Sequence, residues 1–87
     1  MYYVYVLKSL KDGQLYKGYT SDITARIKDH NKGKIRSTKS HRPYELVHLE
    51  FFQSKTEARK RELFLKSGAG RRILTTILNT NNLESTD

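Results

Sequence analysis

Residues Tyr2–Ser9, YYVYVLKS, place aromatic or branched apolar side chains on both alternating faces of an extended chain. A strand apolar on two sides has to be covered on two sides, so it belongs at the centre of a sheet between other layers. That demand is severe for 87 residues, a length that holds one domain. A domain of this size removes only about 60–65% of its unfolded surface from water, so each apolar position counts. No cysteine is present, so disulfides cannot supplement the thin core, and cysteine zinc sites and thiol nucleophiles are excluded.

The rest of the chain supplies the neighbours. Asp12-Gly13 is a hairpin signal, and LYKGYT, Leu15–Thr20, reads as the return strand. Ser21 or Asp22 then caps a helix that runs to about Lys32 and is stopped by Gly33. The basic segment up to Pro43 reads as a loop. YELVHLEFF alternates Val47, Leu49 and Phe51 against His48 and Glu50, the pattern of a half-buried strand with His48 exposed. Ser54 and Glu57 form a capping box for a second helix ending near Ser67-Gly68. A last helix, Arg71 to Leu78, aligns Ile73, Leu74, Ile77 and Leu78 on one stripe. The order is ββαβαα: an α/β fold, one small domain over residues 1–79. Its three-stranded antiparallel sheet has the first strand central and is flanked by helices. Residues 80–87 carry no pattern and read as a disordered polar tail.

Charge narrows the partner. Seventeen Lys and Arg against nine Asp and Glu give +8. The excess is clustered: Lys32, Lys34, Arg36, Lys39 and Arg42 lie in one acid-free stretch, and Arg59 to Arg72 holds six cations against Glu62 alone. Such blocks suit a polyanion, because neutralised phosphates release condensed counterions; a merely solubilising surface is the plainer reading. No basic amphipathic helix presents an apolar face for insertion into a lipid surface. No apolar run approaches the ~20 residues of a membrane span. The N-terminus lacks a basic leader region, so a soluble, cytoplasmic protein is expected.

Two helices break their own patterns. Helical periodicity puts Arg26 and His30 on the same stripe as Ile23 and Ile27, and puts Glu62 between Ala58 and Leu65. An inward charge costs several kcal/mol, on the order of a lost core residue, unless it is paired or metal-bound. An internal Arg26–Glu62 salt bridge is one solution, and solvation of both groups at a cleft edge is another. Gly18 sits inside a strand, where glycine signals close approach of another group. A phenol, a guanidinium, an imidazole and a carboxylate on inward faces suit phosphodiester hydrolysis. The phenol or imidazole takes a proton from water, the guanidinium holds phosphorane charge, and the carboxylate holds a divalent metal.

At these residues the chain resembles the GIY-YIG nucleases, through Tyr3-Val4-Tyr5, Tyr16-Lys17-Gly18, then Thr20, Arg26, His30 and Asn31, and a later helix with Glu62. The resemblance runs from Tyr2 to about Leu78 and is nearest to small standalone bacterial members, related to the N-terminal nuclease module of the excision-repair endonuclease. It implies catalytic residues Tyr5, Tyr16, Arg26, His30 and Glu62, with Arg26 and His30 turned toward a phosphate cleft. Tyr5 would activate water, helped by Tyr16 or His30; Arg26 would stabilise the pentacovalent phosphate. Glu62 would hold a single Mg²⁺ or Mn²⁺ that binds weakly without DNA. Two departures stand out: Tyr3 replaces the first glycine and Lys17 the middle isoleucine. The asparagine that many members carry after the glutamate has no counterpart at suitable spacing, Asn79 being too distant.

The function expected is metal-dependent DNA endonuclease activity with low sequence preference, selective for structure and linked to repair or recombination. RNA is a second possible substrate. The alternative is a nucleic-acid-binding module on the same fold with weak or no catalysis. Phosphate contacts are expected from Lys17, Lys32, Lys34, Arg36, Lys39, Arg42, Lys66, Arg71 and Arg72. No small-molecule cofactor is expected, and the chain is read as a monomer or weak homodimer.

Overall fold

The computed structural model describes the backbone of residues 1–85 and the side chains of residues 1–80. Strand β1 (Tyr2–Ser9) is followed by β2 (Leu15–Thr20), helix α1 (Ile23–Lys32), a 3₁₀ turn (Lys39–His41), β3 (Tyr44–Phe52), and helices α2 (Lys55–Lys66) and α3 (Gly68–Ser85). The sheet is antiparallel in the order β2-β1-β3, with β1 central as its two apolar faces require. On one face Val4 and Val6 pack with Ala58 and Leu65 of α2 and Leu74 of α3. On the other, Tyr5 and Leu7 pack with Tyr44, Ile23 and Ile27. Each fully buried residue of the Leu65 or Leu74 kind contributes roughly 1.5–3 kcal/mol, so this three-layer sandwich rests on very few side chains.

Two local outcomes differ from the sequence expectation. Strand β3 does not simply alternate. A bulge opposite Val6 and Leu7 leaves Val47 without a partner in the β1 register. Two bulged residues oppose one, so Val47 joins the α2–α3 side instead of facing with Leu49 and Phe51. Phe51 is 61% exposed, whereas His48 and Glu50 are drawn inward. Arg61 of α2 reaches across and donates two bonds to Glu50, at 2.8 and 3.1 Å, and His48 closes on the same carboxylate at 2.7 Å. Burial pushes the Glu50 pKa up, but the bonds from Arg61 and His48 outweigh it and hold the carboxylate below its ordinary value.

The second difference is α3, which begins at Gly68, before the expected Arg71. Ser67 makes this abrupt start workable. Its hydroxyl donates to Phe64 O at the end of α2 and accepts from Gly70 N at the start of α3. Gly70 is required by proximity, since a Cβ there would stand 2.6 Å from Leu65 Cα. Leu74 is buried, but Ile73 is 43% exposed, so the buried stripe is narrower than the four apolar residues suggested. The backbone expected to be a patternless tail is helical as far as Ser85. Elongating a formed helix adds one hydrogen bond per residue fixed, so a polar end can continue it. Thr86 and Asp87 lie outside the described residues.

Candidate active site

Beside β2, an edge strand, a cleft of about 510 Å³ is lined by Tyr5, Tyr16, Gly18, Arg26 and Glu62, residues from both strands of the hairpin and from α1 and α2. Tyr5 pairs directly with Gly18 across the ladder. A Cβ at position 18 would stand 2.5 Å from Tyr5 Cζ, so the phenol occupies the space that any other residue's side chain would fill. The group that approaches this glycine is therefore the chain's own tyrosine.

Helix α1 delivers the next layer. Asp22 caps it by accepting from Ala25 N, and Gly33 ends it in the left-handed region. Over that helix His30 falls one turn beyond Arg26, and it is wholly buried. The imidazole meets the rings of Tyr5, Tyr16 and Tyr44 edge-on, at centroid distances of 5.8, 4.9 and 6.0 Å. Asn31 fixes Tyr44 in this cage, accepting from Tyr44 N at 2.7 Å and donating to Tyr44 O at 3.2 Å.

His30 Nδ1 lies 2.8 Å from the Thr38 hydroxyl oxygen, which also contacts Ile35 O at 3.3 Å; with the Thr38 proton directed to Ile35 O, its oxygen accepts from His30 Nδ1–H. His30 Nε2 is then the acceptor, and the Tyr5 hydroxyl donates to it at 3.0 Å. Burial, reinforced by the Arg26 charge, lowers the His30 pKa below its ordinary 6.5, so the imidazole is neutral at pH 7. Burial likewise pushes the Tyr5 phenol well above its ordinary value; Tyr16 and Glu62 add to the rise and Arg26 opposes it. Tyr5 is thus a protonated phenol within hydrogen-bond distance of a neutral imidazole.

This arrangement has a thermodynamic signature. An unfolded histidine protonates near pH 6.5, whereas His30 in the fold protonates only at lower pH. Between those two values the unfolded chain binds more protons, so stability present above pH 6.5 is lost as pH falls through that window. The slope from this one group approaches about 1.4 kcal/mol per pH unit. Urea melts at neutral and mildly acid pH are expected to show wild type losing more stability on acidification than His30→Gln. Equal losses in the two proteins would mean that His30 is not held neutral.

Arg26 and Glu62 share the cleft but are not paired. Glu62, 9% exposed, accepts from Lys66 Nζ at 3.2 Å, and Arg26 has no ion-pair partner among the described residues. The internal salt bridge is therefore absent, and Arg26 is an exposed cation on the cleft wall. His30 does not line that wall; it stands behind Tyr5. Among the nine cations expected at phosphate, Lys17, Lys66 and Arg71 come together from β2, α2 and α3. Burial lowers the Lys17 pKa, and the neighbouring charges of Arg71 and Lys66 lower it further. Lys32, Lys34, Arg36, Lys39 and Arg42 are exposed on the end of α1 and the segment after it, away from the cleft lining, and Arg72 is exposed on α3.

Sequence reasoning missed Thr38, Lys55, Tyr2 and Tyr19, the last three of which line the cleft. Lys55 was legible only as the first helical residue after the Ser54 cap. Thr38 gave no signal, being one hydroxyl in a patternless basic loop. No helix among the described residues is long and apolar enough to cross a membrane.

Comparison with known proteins places the architecture. Residues 1–73 match the family described as "GIY-YIG catalytic domain". A UPF0213 protein of Staphylococcus haemolyticus is 49% identical over 67 residues, covering 76% of this chain and 80% of that protein. Another UPF0213 protein, of Staphylococcus saprophyticus, is 48% identical over the same shares. The solution NMR structure of a UPF0213 protein from Bacillus halodurans, 40% identical, superimposes with a TM-score of 0.54 over 88% of this chain and 85% of that one. With the paired tyrosines, the α1 arginine and histidine and the α2 glutamate gathered around one cleft, the chain belongs to the GIY-YIG nuclease family.

Proposed function

We propose that this chain is a divalent-metal-dependent DNA endonuclease of low sequence preference, structure-selective, cytoplasmic, and active in repair or recombination as a monomer or weak homodimer. One observation carries the reading: a neutral imidazole accepts the Tyr5 hydroxyl beneath a cleft that also presents a free guanidinium and a carboxylate. A water placed against Tyr5 gives its proton to the phenol oxygen as the phenol gives its own to His30 Nε2. This two-bond transfer avoids a free phenolate, which burial makes unfavourable. Arg26, unpaired and open to the cleft, is set to hold the charge that grows on the phosphorane oxygens. Tyr16, stacked edge-on against His30, keeps the imidazole from turning.

Glu62 suits a single metal. Lys66 occupies Oε2, while Oε1 has no hydrogen bond among the described residues and is not an orphaned buried atom, so it is open to the cleft. Among the described residues no group of three or more His, Asp or Glu is placed to bind a metal ion. One carboxylate fits Mg²⁺ or Mn²⁺, ions that retain waters and complete their shell with phosphate oxygens. Glu62 would hold such an ion, which would supply charge neutralisation at the phosphate.

Supercoiled, linear and branched DNA incubated with Mg²⁺, Mn²⁺ or EDTA tests the proposal. Cleavage is expected with either ion, strongest on branched or single-stranded regions, and none in EDTA. Binding without cleavage under every ion would instead assign a nucleic-acid-binding module. Within the same assay Arg26→Ala should cut the rate by about 10²-fold or more, the scale for losing one charge-stabilising donor. Because Arg26 lowers the His30 pKa, its removal should also move the acid limb of the pH–rate profile upward. A rate loss with an unmoved limb would separate Arg26 from the imidazole.

A further inference from the structure

The geometry points to a nucleobase-stacking subsite, formed by Tyr3 and Phe51, that holds an unpaired base next to the scissile phosphate. On the face of the sheet that carries Tyr5, the register aligns Phe51, Tyr3 and Thr20 in one row across the three strands. The next row along contains Tyr5. The two rows are about 7 Å apart, two residues of strand. Tyr3 and Phe51 meet edge to face at 5.4 Å with an interplanar angle of 68°. Neither ring belongs to the cluster that α1 covers on this face. Phe51 is 61% exposed, so an aromatic pair stands at the surface one row from the catalytic phenol.

A cross-strand aromatic pair stabilises a sheet without further purpose, but this one shares its row with a residue of the cleft wall. Thr20, the third member of its row, lines the cleft together with the cations Arg26 and Lys55. A strand whose phosphate lies between Tyr5 and Arg26 carries its adjoining base over the Tyr3–Phe51 rings. Every base has a π-face, so stacking of this kind tolerates any sequence but requires an unpaired base. A duplex already uses those faces internally. A second copy of the chain is a poor occupant, since it would bring another +8 molecule against the same cations.

The occupant rests on the nuclease reading, so binding is measured in EDTA, where cleavage plays no part. A labelled oligothymidylate is compared with an abasic oligomer of equal length and phosphate count. Wild type is expected to bind the base-bearing strand about tenfold more tightly, the scale of one stacked base. Phe51→Thr, which retains strand propensity, and Phe51→Leu, which retains apolar bulk, should erase that preference and leave abasic binding unchanged. Persistence of the base preference in a wild-type protein that cuts nothing would keep the subsite and sink the nuclease. Equal affinity of wild type for both strands overturns the subsite. So do parallel losses for both strands in both variants, and so does sedimentation showing that Phe51→Thr merely splits a dimer with base preference intact.

Discussion

Glu62→Gln is expected to abolish Mg²⁺-dependent cleavage while the domain stays folded and binds DNA at least as well as wild type. The position is inward, between Ala58 and Leu65, both fully buried, and glutamine fills the same volume. The substitution removes an ion pair to Lys66, whose side chain is 47% exposed; pairs of this i,i+4 type are worth only about 0.3–0.5 kcal/mol. Removing an anion from a cleft proposed to receive phosphate favours binding. The Glu62 charge also raises the Tyr5 pKa, so its loss makes the phenol a better participant. A collapse in rate then has no source in folding, affinity or the phenol, and leaves the carboxylate's hold on a metal. Cleavage by Glu62→Gln at the wild-type rate would remove the metal role altogether.

Tyr5→Phe should lower the cleavage rate by roughly 10²- to 10⁴-fold, the range for removing a positioned proton-transfer group. The phenyl ring keeps its place over Gly18 and its packing with Leu7 and Tyr44. Only the hydroxyl goes, and His30 Nε2 becomes a buried acceptor without a partner, at a cost of about 1–3 kcal/mol. Denaturant melts should register that modest loss, and DNA affinity in EDTA should not change. An unaltered rate would transfer the water-contacting role to Tyr16, the cleft phenol whose ring lies against both Tyr5 and His30.

The parts of this protein that its sequence revealed are those governed by neighbours in the chain. The Ser54 cap, and the Asp22 cap as one of two candidates beside Ser21, each close on a backbone N–H three residues on and were readable because the bond is local. The two-faced β1 named its own central position. The inward stripe of α2 exposed Glu62 as an anomaly, since a carboxylate between Ala58 and Leu65 violates the helix's own pattern. What stayed hidden depends on distant partners. His48 and Glu50 alternate like solvent-facing residues until Arg61, 11 residues beyond Glu50, arrives to share that carboxylate with His48. The bulge at Val47 follows from matching β3 to β1 and has no local marker. Thr38 acquires meaning only when the basic loop folds back to place its hydroxyl on His30. Phe51 reads as a core residue by alternation and emerges at the surface beside Tyr3 because that face of the sheet outruns α1.

The proposed chemistry stands on Tyr5 handing its proton to a neutral His30 whose own proton is directed at Thr38. Nitrogen-15 NMR of the His30 imidazole across a pH series measures this directly. A neutral ring is expected at pH 7, with the proton on Nδ1, lone-pair character on Nε2, and titration displaced below the ordinary 6.5. A proton on Nε2, or an imidazolium at neutral pH, would contradict it.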